Sequence, residues 1–312
     1  MKQILKIFLI ILGMAIALLV VYLSALNVAN FAKHREYYSV EERICANPGL
    51  FDGFICQGIA ASEENQVILV SGYMNDGSNS RIYVTDFQSN SYYVELTKLG
   101  KDYKGHAGGI AIYNDTIYIS NASKLLLLSL SDVLCAKNGE TVNISSEVKV
   151  NSAASFVFAN DEFVFVGEFN DPSAEQKKHA YDTPNGVNHA IIEVYRHTDL
   201  ENPVKIYSIG DYVQGVCFTP GGQIVFSTSH GKASSVFYIY DEKEAFDSGN
   251  TLDGAKIYYL GSCQRKILGP AMSEGLDWFD GKVITLFESA SDKYLFGRFF
   301  FAFNIVGLDL ED

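Results

Sequence analysis

The chain has 312 residues, 48% hydrophobic and 20% charged, with 19 Tyr and 21 Phe against a single Trp. That length suits two ordinary domains or one large all-β domain, and the aromatic enrichment favours strands. The formal net charge is −13; an acidic body repels phosphate backbones, so nucleic acid is not expected as a partner.

The first element is apolar. Lys2 and Lys6 precede an uncharged run from Ile7 to Leu26. Twenty helical residues span ~30 Å, the hydrocarbon thickness of a bilayer. The expectation is a signal anchor over residues 1–32 that crosses the cell membrane once, with residues 33–312 outside the cytoplasm. The alternative is a cleaved signal peptide and a secreted body. Ala25, Ala29 and Ala32 are the only small residues placed for cleavage, and they form no clean small-x-small site. Lys33 and Arg35 lie on the far flank. Beyond residue 32 the chain carries 22 basic and 37 acidic side chains, a net of −15.

Five cysteines follow, none in C-x-x-C spacing, so neither a zinc site nor a redox motif is indicated. Cys56 and Cys217 fall within apolar strand patterns and read as core thiols. Cys45 and Cys263 are a candidate bridge.

A short phrase then recurs: a polar or small residue, Gly, two apolar residues, a turn and an apolar strand. Gln57-Gly58-Ile59-Ala60 leads to Val67–Val70, and Gly108-Gly109-Ile110-Ala111 leads through Asn114-Asp115 to Ile117–Ile119. A degenerate copy, Ser155-Phe156-Val157, leads to Phe163–Val166. Gln214-Gly215-Val216-Cys217 and Glu274-Gly275-Leu276 complete the series, with Gly221-Gly222 and Asp280-Gly281 as hairpin turns. A third strand follows each copy: 81–86, 125–130, 190–195, 235–241 and 298–304. A fourth follows four of them: 92–96, 147–150, 204–209 and 256–260. Residues 37–43 are expected to supply the missing strand of the last unit. Four antiparallel strands repeated radially define a β-propeller. Five phrases predict five blades, with six as the alternative.

In a propeller, the starts of first strands and the ends of second strands meet at one mouth of the central channel. The first set is Gln57, His106, Ser155, Gln214 and Glu274. The second is Tyr73, Asn121, Glu168, His230 and Glu288. Polar side chains on otherwise apolar strands mark a binding site. Two chemistries are open. Carboxylate and amide oxygens suit a hard cation such as Ca²⁺, with Glu274, Glu168 and Asn121 as ligands. Alternatively, Glu274 with His106 or His230 performs acid–base catalysis. Gln57, Gln214, Ser155, Tyr73 and Glu288 are expected to contact a ligand. Glu288 and Lys293 are close enough in sequence to pair with each other. No P-loop, G-x-G-x-x-G, G-x-S-x-G or H-E-x-x-H motif is present.

At Gln57-Gly58-Ile59 and Glu274-Gly275-Leu276 the chain resembles the five-bladed glutaminyl cyclases, and also the six-bladed gluconolactonase and strictosidine synthase-like propellers. The His-Ala-Gly-Gly, Gln-Gly, Ser-Glu-Gly and Phe-Glu-Ser phrases together resemble uncharacterised secreted bacterial β-propellers, over roughly residues 50–295. The cyclase resemblance implies a catalytic Glu opening the second blade, where Gly108 stands, and channel tryptophans, where only Trp278 exists. The lactonase resemblance implies a central cation held by Glu and Asn, and an Asp opening a later blade, which is not found before Gly215. The functional expectation is a propeller that binds a small molecule, or an extracellular protein or glycan, at its central channel. The alternative is a hydrolase or a cyclase or acyl-transfer enzyme built on Glu274.

Overall fold

A glycine that recurs once per strand pair, with an apolar strand after it, is what close approach of neighbouring sheets requires. In the computed structural model, which describes residues 2–173 and 179–310, those glycines form the axis of a five-bladed propeller. A Cβ on Gly109 would lie 2.5 Å from the Val157 amide nitrogen of the next blade. One on Gly275 would lie 3.0 Å from the Gly58 Cα of the first blade. Gly58 and Gly215 meet Ile110 and Leu276 in the same way. The ring therefore closes on backbone-to-backbone contact that a side chain would push apart.

Blade 1 is built from Phe54–Ser62, Val67–Met74, Arg81–Thr85 and Ser91–Lys98. Blade 2 is Gly109–Tyr113, Thr116–Ser120, Lys124–Ser129 and Ser146–Lys149. Blade 3 is Phe156–Ala159, Phe163–Gly167, Ala190–Arg196 and Lys205–Ile209. Blade 4 is Val213–Phe218, Gln223–Thr228, Ser235–Asp241 and Arg265–Gly269. Blade 5 is Ser273–Phe279, Lys282–Phe287 and Asn304–Leu308, completed by Glu41–Ala46 from the start of the chain. Closing the last blade with a leading strand ties the two ends of the ring together and leaves no open sheet between them.

Four expectations are corrected. The fourth strand of blade 4 is Arg265–Gly269, because Ala255–Tyr259 pairs in parallel with Lys205–Ile209 and covers the outer edge of blade 3. Thr141–Ile144 covers the edge of blade 1 in the same way. The third strand of blade 5 starts at Asn304, since Phe296–Phe300 forms a 3-10 helix. The closing strand lies at 41–46, because the segment before it, Arg35–Val40, is helical. All five cysteines are free thiols, so Cys45 and Cys263 are not bridged.

Apolar side chains between neighbouring sheets supply the stability. Ile82, Val84 and Val94 of blade 1 pack with Ile110, Ile117 and Leu126 of blade 2. Ala111 and Tyr118 of blade 2 pack with Val157, Val164 and Val166 of blade 3. At roughly 25 cal/mol per Å² of apolar surface removed from water, such interfaces dominate the folding energy.

The N-terminal helix α1 (Lys2–Lys33) is different. It holds no acid and no buried residue, and it is long and apolar enough to cross a membrane. Only its end touches the propeller. Asn27 Nδ2 donates to the Phe299 carbonyl at 2.8 Å, and His34 Nε2 lies 2.8 Å from Ser234 Oγ. The following helix α2 (Arg35–Val40) lies against the outer strand of blade 4, where Arg265 Nε donates to Glu36 Oε1 at 2.8 Å.

Candidate functional site at the mouth of the channel

Three of the five first strands begin with a β-bulge. The register slips between Cys56 and Gly58, between Val213 and Gly215, and between Ser273 and Leu276. Gln57, Gln214 and Glu274 lie within those slips. A bulge re-aims a side chain away from the regular alternation. Here each turns a polar group to the axis while the flanking apolar residues stay in the core. Blades 2 and 3 use a left-handed residue instead, Ala107 and Ala154, just before the strand.

These devices open on a cavity of about 450 Å³ at one end of the channel. Eight of the ten expected side chains line it: Gln57, Tyr73, His106, Asn121, Ser155, Gln214, Glu274 and Glu288. Glu168 and His230 do not. Glu168 turns inward, where its carboxylate accepts from the Ala153 amide at 3.1 Å and the Ile191 amide at 3.2 Å, and lies 3.1 Å from His179 Nε2. His230 stacks on Tyr212 and lies 3.6 Å from Asp171 on the exposed side. The expected oxygen trio of Glu274, Glu168 and Asn121 is therefore not assembled, and His230 is not beside Glu274. Among the described residues, no cluster of three or more His, Cys, Asp or Glu side chains is placed to hold a metal.

A hydrogen-bonded chain crosses the cavity. His106 Nε2 lies 2.5 Å from Gln57 Oε1. Gln57 Nε2 donates to Glu288 Oε2 at 2.8 Å and to the Cys56 carbonyl at 2.9 Å. Two acceptors on the amide nitrogen fix which end of Gln57 faces His106. His106 must therefore donate from Nε2, which leaves Nδ1 as its acceptor. The ring stacks on Tyr73 with centroids 4.7 Å apart. Lys293 Nζ donates to the Tyr73 hydroxyl at 2.5 Å. Lys293 makes no hydrogen bond or ion contact to Glu288, and acts on it through its charge alone. The His106 amide donates to Asn121 Oδ1 at 2.8 Å, and Ser155 Oγ accepts from the Phe169 amide at 3.0 Å. Asn121 and Ser155 therefore spend one polar atom each on shaping the rim.

The electrostatics single out Glu274. Its side chain is buried and lines the cavity, and no described residue hydrogen-bonds to it. Burial, and then the neighbouring Glu288 carboxyl, push its pKa well above the usual range. Burial raises Glu288 to about 7, against the opposing pull of Lys293 and of hydrogen bonds from Gln57 and Tyr294. Burial and the Lys293 charge hold His106 below its ordinary value. The site therefore combines two acids that resist ionisation with a neutral imidazole.

Lys293 and Tyr294 were not among the expected binding residues. They come from the long connection between the second and third strands of blade 5, outside the repeated phrase. A Lys five residues beyond a channel-facing Glu was the available signal.

No family model matches this chain, and no curated protein matches it. Solved structures with related architecture were found. The PQQ-bound aldose sugar dehydrogenase of Streptomyces coelicolor has a TM-score of 0.43 at 13% identity, covering 79% of this chain and 77% of that one. The WD40 propeller domain of Doa1 has 0.42 at 10%, covering 79% of each. For the hydrazine synthase of Kuenenia stuttgartiensis the values are 0.40 and 13%, covering 75% of this chain and 56% of that one. Likenesses this distant add nothing to the strand pairing, which by itself defines a five-bladed β-propeller preceded by one apolar helix.

Proposed function

We propose that the chain is a membrane-anchored, extracytoplasmic propeller, with residues 1–32 as the anchor and 33–312 as the body. Its central cavity binds a small polar molecule rich in hydrogen-bond donors, such as an amine or an amino sugar. The observation that carries this reading is Glu274. A largely buried carboxyl that opens on the cavity, with no described side chain or amide bonded to it, is free to accept from a donor group on a ligand, which offsets the cost of its burial. Glu288 supplies a second acceptor and Phe169 an apolar wall, while the Tyr73 and Tyr294 rings already meet His106 and Lys293. A resident Ca²⁺ fits less well, because it takes six to eight oxygen ligands and the Gln57 oxygen is already engaged by His106.

The test is a thermal melt of the full chain in detergent with glucosamine, arginine, glucose, gluconate or CaCl₂ at millimolar concentration. A ligand at about 100 times its dissociation constant stabilises by about 2.7 kcal/mol. A rise with glucosamine or arginine that Glu274→Gln abolishes supports the reading. No rise with any donor-rich solute, or a rise that Glu274→Gln retains, overturns it. A rise confined to CaCl₂ favours the metal.

The two neighbouring acids favour a second reading, acid–base catalysis on an ester or lactone. Carboxyls held protonated near neutral pH are suited to proton transfer. Hydrolysis of a chromogenic lactone that both Glu274→Gln and Glu288→Gln abolish would establish it.

A further inference from the structure

The connection 288–303 of blade 5 has two neighbours. Its first half borders the cavity through Glu288, Lys293 and Tyr294. Its second half runs from Leu295 to Phe303, and five of those nine residues are Phe. Phe301 is 68% exposed, and Phe51, whose ring stacks on Phe303, is 69% exposed. Phe299 and Leu295 are exposed beside them. Leu295 and Phe301 also hold φ of 61° and 58°, which bulky residues rarely adopt. Strained, exposed apolar side chains gathered in one place mark an interaction surface.

The occupant follows from α1. Asn27, whose side chain bonds to the Phe299 carbonyl, is the first residue after the uncharged run Ile7–Leu26. A helix that crosses a bilayer with that run places Asn27 at the outer edge of the hydrocarbon, so Phe299 lies at the same depth. From Lys2 to Tyr22 the helix is exposed, so the body leaves the spanning part free to meet lipid. Lys33 and Lys232 line a neighbouring depression with Phe296, and Lys232 Nζ lies 5.7 Å from the centre of that ring. Basic groups above apolar rings suit a surface with anionic headgroups.

We infer that the Leu295–Phe303 connection, with Phe51, seats in the interfacial layer of the bilayer that α1 crosses. This rests on the reading of α1 as a membrane span.

The experiment uses the full chain with Cys135→Ser and Cys263→Ser, which leaves only the buried Cys45, Cys56 and Cys217. The protein is reconstituted into phosphatidylcholine vesicles with a quarter phosphatidylglycerol. An environment-sensitive fluorophore is placed in turn at Phe301→Cys, Phe51→Cys, Met14→Cys within α1, and Glu64→Cys in the exposed turn between the first two strands of blade 1, at the opposite end of the propeller. The expected result is blue-shifted emission at positions 301, 51 and 14, quenched at least twofold by brominated lipid, with water-like emission at 64. Quenching at 14 with water-like emission at 301 and 51 overturns the proposal and keeps the span. A blue shift at 301 without lipid quenching identifies a protein partner or a second copy, and also overturns it. Water-like emission at 14 removes the span itself, and the proposal with it.

Discussion

His106 Nε2 donates to Gln57 Oε1 at 2.5 Å, and the nitrogen of the same amide donates to Glu288. This relay fixes His106 as the Nε2–H tautomer, with burial and Lys293 keeping the ring neutral. Nitrogen-detected NMR at pH 7 should show a protonated Nε2 and an unprotonated Nδ1, with a titration midpoint below the ordinary 6.5. In Gln57→Leu the tautomer preference should relax. A ring already charged at pH 7 would contradict the relay.

The buried acids set a pH dependence. An unfolded Glu ionises near 4.5, whereas folded Glu288 holds its proton to about 7. Between those values the folded state binds more protons than the unfolded one. The stabilisation is therefore complete below about 4.5 and is lost as pH rises through about 7. Glu274 is shifted in the same direction. Glu274→Gln should melt a few degrees above the native protein at pH 8, the size of a ~1–2 kcal/mol effect in a domain this large. The gap should shrink toward pH 5. A gap that is flat with pH would mean that Glu274 is ionised throughout.

Asp277 offers a parallel case away from the cavity. It accepts from the Ala61 amide at 2.7 Å, joining blade 5 to blade 1, and burial raises its pKa to about 7. Asp277→Asn keeps an oxygen for Ala61 and removes the proton equilibrium. Chemical denaturation should find it more stable than the native chain at pH 8 and no more stable at pH 4. Asp277→Leu, which leaves the Ala61 amide without its acceptor, should be less stable than Asp277→Asn at both, by ~1–3 kcal/mol.

Axial contact predicts a contrast between glycines. Gly109→Ala places a methyl 2.5 Å from the Val157 nitrogen and should cost at least ~2 kcal/mol or prevent folding. Gly210→Ala meets open space and should stay within about 0.5 kcal/mol of the native chain. Equal losses at both positions would deny the close approach of the blades.

These contrasts explain what was legible in the sequence. Backbones that meet at the axis demand small residues there, so Gly58, Gly109, Gly215 and Gly275 announce the blades locally. The residue before each glycine points into the channel, and Gln57, Gln214 and Glu274 could be picked out on that basis. Glu168 shows the limit. The residue after a second strand can turn either to the channel or to the unpaired amides of its own blade, and Ala153 and Ile191 decide the matter through geometry the sequence does not display. Ala255–Tyr259 is a similar case. A short apolar strand pairs with whichever edge lies open, and its partner, Lys205–Ile209, is about fifty residues away. Lys293 reaches the cavity by way of an irregular connection, which has no period to read.

The position of α1 has a consequence for approach. Its contacts, Phe299 and Ser234, lie on the connections that leave second strands, the same end of the propeller as the cavity mouth. With α1 in a bilayer, the mouth looks down at lipid, and the hairpin tips at Asn114-Asp115 and Asp280-Gly281 look outward. A molecule bound as proposed would then reach the mouth from the side, between body and headgroups, or by travelling along the membrane. Anything meeting the protein head-on from outside touches only the tips, so occupancy would track what accumulates at the membrane surface more closely than what is dissolved in the bulk.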